Sequence, residues 1–596
     1  MAIFRHPCSS VESVVKRTES SPSLDFRNTN ALWGSVLAET LVRLGLRHAV
    51  IAPGSRSAPL VFGFTRHPGV ESLSVLDERS AAFFALGLAR QHRRPVAVVC
   101  TSGTAAANFY PAVIEAQESG LPLLVFTADR PPELRDCASG QAIDQQNLYG
   151  SHVNFFHELA VPEAKLELLR YLRQTVAHAW RRAQAPEPGP VHLNCPYREP
   201  LAPVEDGTAR LLAGQLDEEF FAHLSVDAPV VRITARQRLT AARGLIVAGP
   251  CPAGSATAYA TALPRLAASL RWPVLADALS PARHHELPGA VVETAYDALL
   301  RNARAARALV PRQVLCLGGW PTSKVLRGWL EQSGAEVLLV APTARNRDAL
   351  HGRTRAMQLP VENFEADRPA REDADYLTAW RRTEEAARAV IDTKLGATRN
   401  LFEGKAAWLL SRHLPEETPV FVASSMPVRD AEYFWCPGNR RTQLHFNRGA
   451  NGIDGTLSTA LGLAHGGRPA VLLAGDLALL HDANGFLIRP KFRGSLTVVL
   501  INNRGGGIFE HLPVARFDPP FEEFFATPQE VDFARLCAAY GVKHTLVRDW
   551  AQFTGLIARL PAQGIRVLEL RTDRKRDVAF RKKLFADAAK AAGNAL

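Results

Sequence analysis

The chain has 596 residues, 47% hydrophobic and 22% charged, with a formal net charge of +11. This is too long for one hydrophobic core, ordinary for a globular protein of roughly three or four domains, and without an apolar run long enough to span a membrane as a helix. The Arg and Lys residues are spread along helical segments rather than gathered in one run with interleaved aromatics, so the surplus fits an enzyme for small anions better than a nucleic-acid binder.

Residues 1–27 have neither a secretory apolar core nor sustained helical patterning. They are expected to form a disordered leader, and their Ser and basic content leaves an organelle-targeting role open. From Asn28 onward strand and helix alternate. His48–Ala52 ends in Pro-Gly-Ser-Arg, and Leu73–Leu76 ends in Asp77-Glu78-Arg79 before a small-residue helix over Ala81–Ala89. Val96–Cys100 ends in Thr-Ser-Gly-Thr, and Leu121–Phe126 ends in Thr-Ala-Asp-Arg-Pro-Pro. The middle third repeats the theme with Leu245–Ala248, Val274–Ala276, Val314–Leu317 and Val337–Val340. The last third does so with Val420–Ala423, Leu444–Phe446, Ala470–Leu473, Val498–Ile501 and Val567–Leu570. Short continuous apolar runs between helical segments predict buried parallel strands joined by right-handed crossovers. The fold class is therefore α/β, with three consecutive doubly wound parallel-sheet domains. Pro and charged residues cluster at Pro200–Asp206 and Asp367–Asp375, which sets the expected units at 28–200, 207–370 and 401–596, with a helical linker over 371–400. No residue-level repeat is visible among the units. Ligands of such sheets lie beyond the carboxyl ends of the strands, which places Ser55, Arg56, Glu78, Thr101 to Thr104, Asp129 and Arg130 on one rim.

The eight cysteines include no Cys-x-x-Cys pair, which argues against a zinc knuckle or a disulfide framework and fits a reducing, cytoplasmic compartment. The chemistry is concentrated further along, in Gly475-Asp476 and Asn502-Asn503, fewer than thirty residues apart and each at the end of an apolar strand. A carboxylate, an amide oxygen and a backbone carbonyl at Gly505 make a hard oxygen site suited to Mg²⁺. Gly475 and Gly505 let backbone approach a diphosphate, and a helix starting after Asp476 points its N–H groups the same way. Either half alone is an ordinary strand-to-loop turn, whereas the pairing resembles the signature of thiamine-diphosphate enzymes. Such an enzyme also needs a carboxylic acid at N1′ of the cofactor pyrimidine. Glu78 meets that requirement; its other reading is an acid in the first turn of a helix, favoured by the helix dipole.

The segments Ala52-Pro-Gly-Ser-Arg-Ser-Ala-Pro-Leu60, Thr127-Ala-Asp-Arg-Pro-Pro-Glu-Leu134, Gly140-Gln-Ala-Ile-Asp-Gln145 and Phe446-Asn-Arg-Gly-Ala-Asn-Gly-Ile-Asp-Gly455 add a narrower likeness. With the Asp476/Asn503 pair they make the chain resemble the 2-succinyl-5-enolpyruvyl-6-hydroxy-3-cyclohexene-1-carboxylate synthases, the MenD family of menaquinone biosynthesis. The resemblance implies decarboxylation of 2-oxoglutarate and conjugate addition of the succinyl carbanion to isochorismate. It implies thiamine diphosphate with Mg²⁺ or Mn²⁺ as cofactors, and a homodimer or homotetramer with no nucleic-acid or membrane partner. Residue by residue it gives Glu78 as the catalytic acid, and Ser424, Ser425, Ile453, Gly475, Asp476, Leu477, Asn503, Ile508 and Phe509 around the cofactor. Asp476, Asn503 and Gly505 are the implied metal ligands. Ser425, Arg429 and Arg448 fall on the 2-oxoglutarate side, and Ser55, Arg56, Arg130, Gln141 and Lys324 on the isochorismate side. Three positions depart from the family pattern: Ala423-Ser-Ser-Met replaces a Gly-Asn-Ser type of turn, Val325 stands where a second basic residue is common, and Gly507 where a side-chain amide is common. Another thiamine-diphosphate 2-oxo acid decarboxylase, such as an acetolactate-synthase relative, is the nearest alternative. A non-catalytic anion-binding homologue conflicts with the intact Glu78, Asp476 and Asn503, and a dinucleotide dehydrogenase rests on the parallel-sheet pattern alone.

Overall fold

The apolar runs do become strands, and the strands assemble into three six-stranded parallel sheets and one two-stranded parallel pair. The computed structural model describes residues 24–224, 234–251, 256–367 and 372–596, so the leader expectation lies, for residues 1–23, outside the described residues. Leu24 and Phe26, also assigned to the leader, lie against the first core.

The first sheet runs, in spatial order, Glu71–Ser74, His48–Ile51, Val96–Cys100, Leu123–Asp129, Val191–Pro196 and Phe155–Glu158. The third runs Gln443–His445, Pro419–Val422, Ala470–Gly475, Ser495–Asn502, Gly564–Arg571 and Lys543–Leu546. Numbered within each unit, both follow the order 2-1-3-4-6-5, a repeat of topology that side chains do not betray. The central sheet runs Val292–Glu293, Val274–Ala276, Gly244–Ala248, Gln313–Leu317, Glu336–Ala341 and Arg353–Gln358, which is the order 3-2-1-4-5-6 shared with dinucleotide-binding folds. No Gly-x-Gly-x-x-Gly follows its first strand. The central strands of the first sheet, Val96–Cys100 and Leu123–Asp129, are buried at every residue, as expected when helices cover both faces.

Several elements depart from the sequence reading. The strand expected over Leu73–Leu76 spans Glu71–Ser74 instead, because the chain leaves the sheet and turns Leu76 into solvent at 63% exposure. Val191–Pro196 is a buried strand despite its polar residues: the Thr127 hydroxyl bridges His192 Nε2 at 2.7 Å and Asn194 Oδ1 at 2.8 Å, which pairs these two atoms inside the core and leaves His192 Nδ1 buried without a partner. Residues 209–221, expected in the central unit, pack through Ala209, Leu212, Leu216 and Phe220 on the first core. The linker is the helix Ala374–Ala397, which lies against the C-terminal helix Arg574–Asn594.

The first and third units meet through the helices Glu78–His92 and Thr456–Ala464. Glycines permit the approach: a Cβ at Gly87 would lie 2.2 Å from the Thr459 carbonyl oxygen, and one at Gly462 2.1 Å from that of Phe84. The small-residue character of the first helix thus serves interhelical contact rather than propensity alone.

Candidate active site

The strand order of the third sheet reverses between Pro419–Val422 and Ala470–Gly475, and the crevice at that switch is where ligands of open α/β sheets bind. A cavity of about 310 Å³ opens there. Its floor comes from the two chain segments leaving those strands, with Ser424 and Ser425 on one side and Gly475, Asp476 and Leu477 on the other. Asn503 and Gly505 reach it from the next strand, because the register sets Gly475 opposite Ile501. Ile453, Ile508 and Phe509 add apolar walls, and Arg429 and Arg448 add charge.

Asp476 is the first residue of the helix Asp476–His481 and is buried. Its Oδ1 accepts the Leu477 N–H at 2.8 Å and its Oδ2 the Gly505 N–H at 2.9 Å. Burial nevertheless dominates and, helped by the like charge of Glu403, pushes its pKa up to about 6. Asn503 donates through Nδ2 to Glu403 Oε2 at 2.9 Å, and its Oδ1 is buried without a partner. An orphaned amide oxygen beside an uncompensated carboxylate is costly unless a cation or donor joins them. The pair therefore fits a hard divalent cation. Gly505 stands at φ 125°, where a Cβ would lie 2.2 Å from the Ala526 carbonyl oxygen, so only glycine fits this bend. A Cβ at Gly475 would meet nothing within 4 Å, which leaves that side of the cavity clear for a bulky anion. Among the described residues no cluster of three His, Cys, Asp or Glu side chains could hold a metal. The donor set is a carboxylate, an amide and backbone carbonyls, not histidines and thiolates.

Ser425 carries strain, with φ 74° and ψ −131° in a region that favours glycine. It is the second serine of the divergent Ala423-Ser-Ser-Met turn, and its carbonyl accepts Arg429 Nη1 at 2.6 Å. Ser424 Oγ donates to the Asn447 carbonyl at 3.3 Å. Burial lowers the pKa of Arg429 and of Arg448, and each guanidinium is lowered further by Arg327. A group of like charges held against its own repulsion is a receptor for a multiply charged anion.

The remaining expected site residues form a second group on the first unit. Arg56 is buried, donates to the Tyr197 carbonyl at 3.0 Å and lies 3.4 Å from Glu199. Arg130 caps the Gly140 carbonyl at 2.7 Å, next to Gln141, and its charge acts on Arg56. Ser55 is exposed beside them. Glu78 is half-buried at the first position of the helix Glu78–His92, whose N-cap Asp77 accepts the Ser80 N–H. Neither Glu78 nor Ser55, Arg56, Arg130 or Gln141 lines the cavity of Asp476 and Asn503. One chain does not bring the two groups together.

Lys324 is exposed at the start of the helix Lys324–Ser333 and lines neither this cavity nor the adjoining one of about 680 Å³. Arg327, one turn later, does line the larger cavity, which shares Arg448 and Asn451 with the smaller. Sequence reasoning missed Arg327, although its i+3 spacing from Lys324 was available as a signal. It also missed Glu403, which looks like an ordinary first-turn acid, and Glu115. Glu115 lies on the helix Tyr110–Ser119, and its carboxylate accepts the N–H groups of Gly449 at 3.0 Å and Ala450 at 2.7 Å, pinning the loop that carries Arg448.

Comparison with known proteins assigns a family model to each of three stretches of the chain. Residues 33–148 match the thiamine pyrophosphate enzyme N-terminal TPP binding domain, 216–422 the middle domain of thiamine pyrophosphate enzymes, and 425–569 the C-terminal TPP binding domain. A protein of Nostoc sp. (strain PCC 7120) is 53% identical over 569 residues, covering 94% of this chain and 97% of the relative. One from Synechococcus sp. (strain JA-3-3Ab) is 52% identical over 580 residues with the same coverage, and one from Microcystis aeruginosa is 51% identical over 556 residues, covering 93% and 98%. All three carry the name 2-succinyl-5-enolpyruvyl-6-hydroxy-3-cyclohexene-1-carboxylate synthase.

Proposed function

We infer the function from one premise: the chain belongs to the 2-succinyl-5-enolpyruvyl-6-hydroxy-3-cyclohexene-1-carboxylate synthase family of thiamine-diphosphate enzymes. It is a transferase of menaquinone biosynthesis that removes CO₂ from 2-oxoglutarate and adds the remaining four-carbon fragment to isochorismate. Bound thiamine diphosphate supplies the nucleophilic carbon and the electron sink that decarboxylation requires.

The chain's own residues do the rest. Asp476, Asn503 and the Gly505 carbonyl would hold Mg²⁺ or Mn²⁺, which would neutralise the diphosphate charge and anchor the cofactor. Ile453, Ile508, Phe509 and Leu477 exclude water from the reacting centre. Arg429 and Arg448, with the Ser425 turn, bind the carboxylates of 2-oxoglutarate, and Arg327 extends this cationic wall. Ser55, Arg56, Arg130 and Gln141 receive isochorismate, with Lys324 at the margin. Glu78 holds the proton at pyrimidine N1′. In this reading the first unit (28–200) offers the acid and the third (401–596) the diphosphate site. The central unit (207–370) walls the cleft, and residues 371–400 link it onward. Because Glu78 does not line the cavity of Asp476 in its own chain, the acid is drawn from a second copy, making an isologous dimer the smallest complete unit. The seven described cysteines are free thiols, in keeping with a cytoplasmic setting.

The observation that carries the reading is the unpartnered Asn503 Oδ1 beside the buried Asp476 carboxylate. The test is an assay of purified protein with thiamine diphosphate, Mg²⁺, 2-oxoglutarate and isochorismate. Stoichiometric CO₂ and adduct are expected only when all four are present. Equal turnover of pyruvate, or full decarboxylation without isochorismate, would assign a different 2-oxo acid enzyme.

A further inference from the structure

We propose that Glu403 is a positioning residue for the metal site: its carboxylate decides which end of the Asn503 amide faces the cation. This rests on the assignment of Asp476 and Asn503 to a divalent metal. An asparagine offers a cation either an oxygen or an NH₂ group, and only one orientation binds. Glu403 Oε2 accepts Asn503 Nδ2 at 2.9 Å, which leaves Oδ1 free toward the cavity. The flipped amide would set Oδ1 against the carboxylate, acceptor on acceptor.

The carboxylate is itself fixed. Glu403 opens the helix Glu403–His413 and is 3% exposed. Its Oε1 accepts Arg581 Nη2 at 2.8 Å, and its backbone N–H donates to Asp577 Oδ2 at 3.2 Å. Arg581, on the C-terminal helix, also donates to Asp430 Oδ1 at 2.6 Å and to His511 Nε2 at 3.0 Å. Arg581 thus ties two carboxylates, Glu403 and Asp430, to one guanidinium, which holds the Glu403 carboxylate rigid behind the Asn503 amide. The arrangement also explains why position 503 carries an amide. A carboxylate there would bind metal strongly in isolation, but would face Glu403.

The test is calorimetry on the full-length protein, titrating Mg²⁺ at fixed thiamine diphosphate and thiamine diphosphate at fixed Mg²⁺. Glu403→Gln cannot accept from both Asn503 and Arg581, so Mg²⁺ affinity is expected to fall about 10- to 100-fold, the usual cost of losing an outer-shell partner. At saturating metal, kcat/KM for 2-oxoglutarate is expected to change far less. Asn503→Asp alone is expected to weaken Mg²⁺ as well, and the double variant to recover most of the loss, because the new amide donates to the new carboxylate. Wild-type affinity in Glu403→Gln, or losses that add in the double variant, would overturn the proposal. Asn503→Ala separates the two levels: if it binds Mg²⁺ normally, the metal assignment itself fails. Thermal melting of the apo proteins reports folding independently. If Glu403→Gln does not fold, Asn503→Asp still decides, since tighter Mg²⁺ binding there contradicts the stated geometry.

Discussion

Lys324 and Arg327 stand one turn apart on the helix Lys324–Ser333, and the fold sends them to different places: the lysine into solvent, the arginine to the cavity that Arg448 also lines. A charged hydrogen bond to a substrate carboxylate is worth about 1.5–3 kcal/mol, so Arg327→Ala is expected to lower kcat/KM for a dicarboxylate substrate by roughly 10-fold or more, and Lys324→Ala by less than about twofold. Steady-state kinetics with each substrate varied in turn checks this, and equal losses in the two variants would restore the lysine to the site. Asp476, Asn503 and Arg448 are legible in sequence because each follows an apolar strand, where residue type and position together carry meaning. Glu403 and Glu115 are not. Their partners lie 100 and 334 residues away, and in sequence each is one more acid on a helix.

The loop after Gln443–His445 is held partly from outside its own unit. Asn447 is bonded by Arg90 Nη2 at 3.3 Å and donates to Thr459 Oγ1 at 3.1 Å, while Glu115 takes the next two free N–H groups. Glu115→Ala leaves those donors unpaired and frees the loop that aims Arg448. The expected result is a loss of about 10-fold or more in kcat/KM for 2-oxoglutarate, with thiamine-diphosphate affinity within about twofold of wild type. Parallel kinetics and calorimetry check it, and a matching loss of cofactor binding would mean the helix Tyr110–Ser119 supports the whole site rather than the loop. Buried apolar strands were readable at this scale, as were the edge strands Glu71–Ser74 and Gln443–His445 to within two residues, whereas two other edge strands were not. Phe155–Glu158 and Lys543–Leu546 are half exposed and mix polar with apolar residues, so no run marks them.

Across the molecule, an acid on the first unit and metal ligands on the third must come from different copies if neither chain is complete alone. Glu78→Gln and Asp476→Ala homodimers are each expected to be inactive. Mixed after subunit exchange, they are expected to recover roughly a quarter of wild-type turnover, since about half of random dimers are mixed and one of their two sites is intact. No recovery despite proven exchange would place the whole site within one chain. The joint between the central and third units makes a separate prediction. Glu432 is buried there, accepts the Ala278 N–H at 2.7 Å and the Tyr296 hydroxyl, and is pushed up to about 8 by burial and then by the charge of Asp277. A carboxyl raised on folding contributes stability in full below its unfolded value near 4.5 and loses it as pH rises through 8. The melting-temperature advantage of wild type over Glu432→Gln is therefore expected to shrink between pH 5 and pH 9, and a constant gap would remove Glu432 from that role. The sequence by itself determined the fold class and the chemistry. Buried parallel strands need unbroken apolar runs, and a cation that holds a diphosphate needs hard oxygens at strand ends, and both requirements are local. The shared strand order of the first and third sheets, the placing of Arg327 rather than Lys324 on a cavity wall, and the hydrogen bonds made by Glu403 and Glu115 were decided only in three dimensions. Each depends on which distant segments pack together, and packing is a property of surfaces, not of neighbours along the chain.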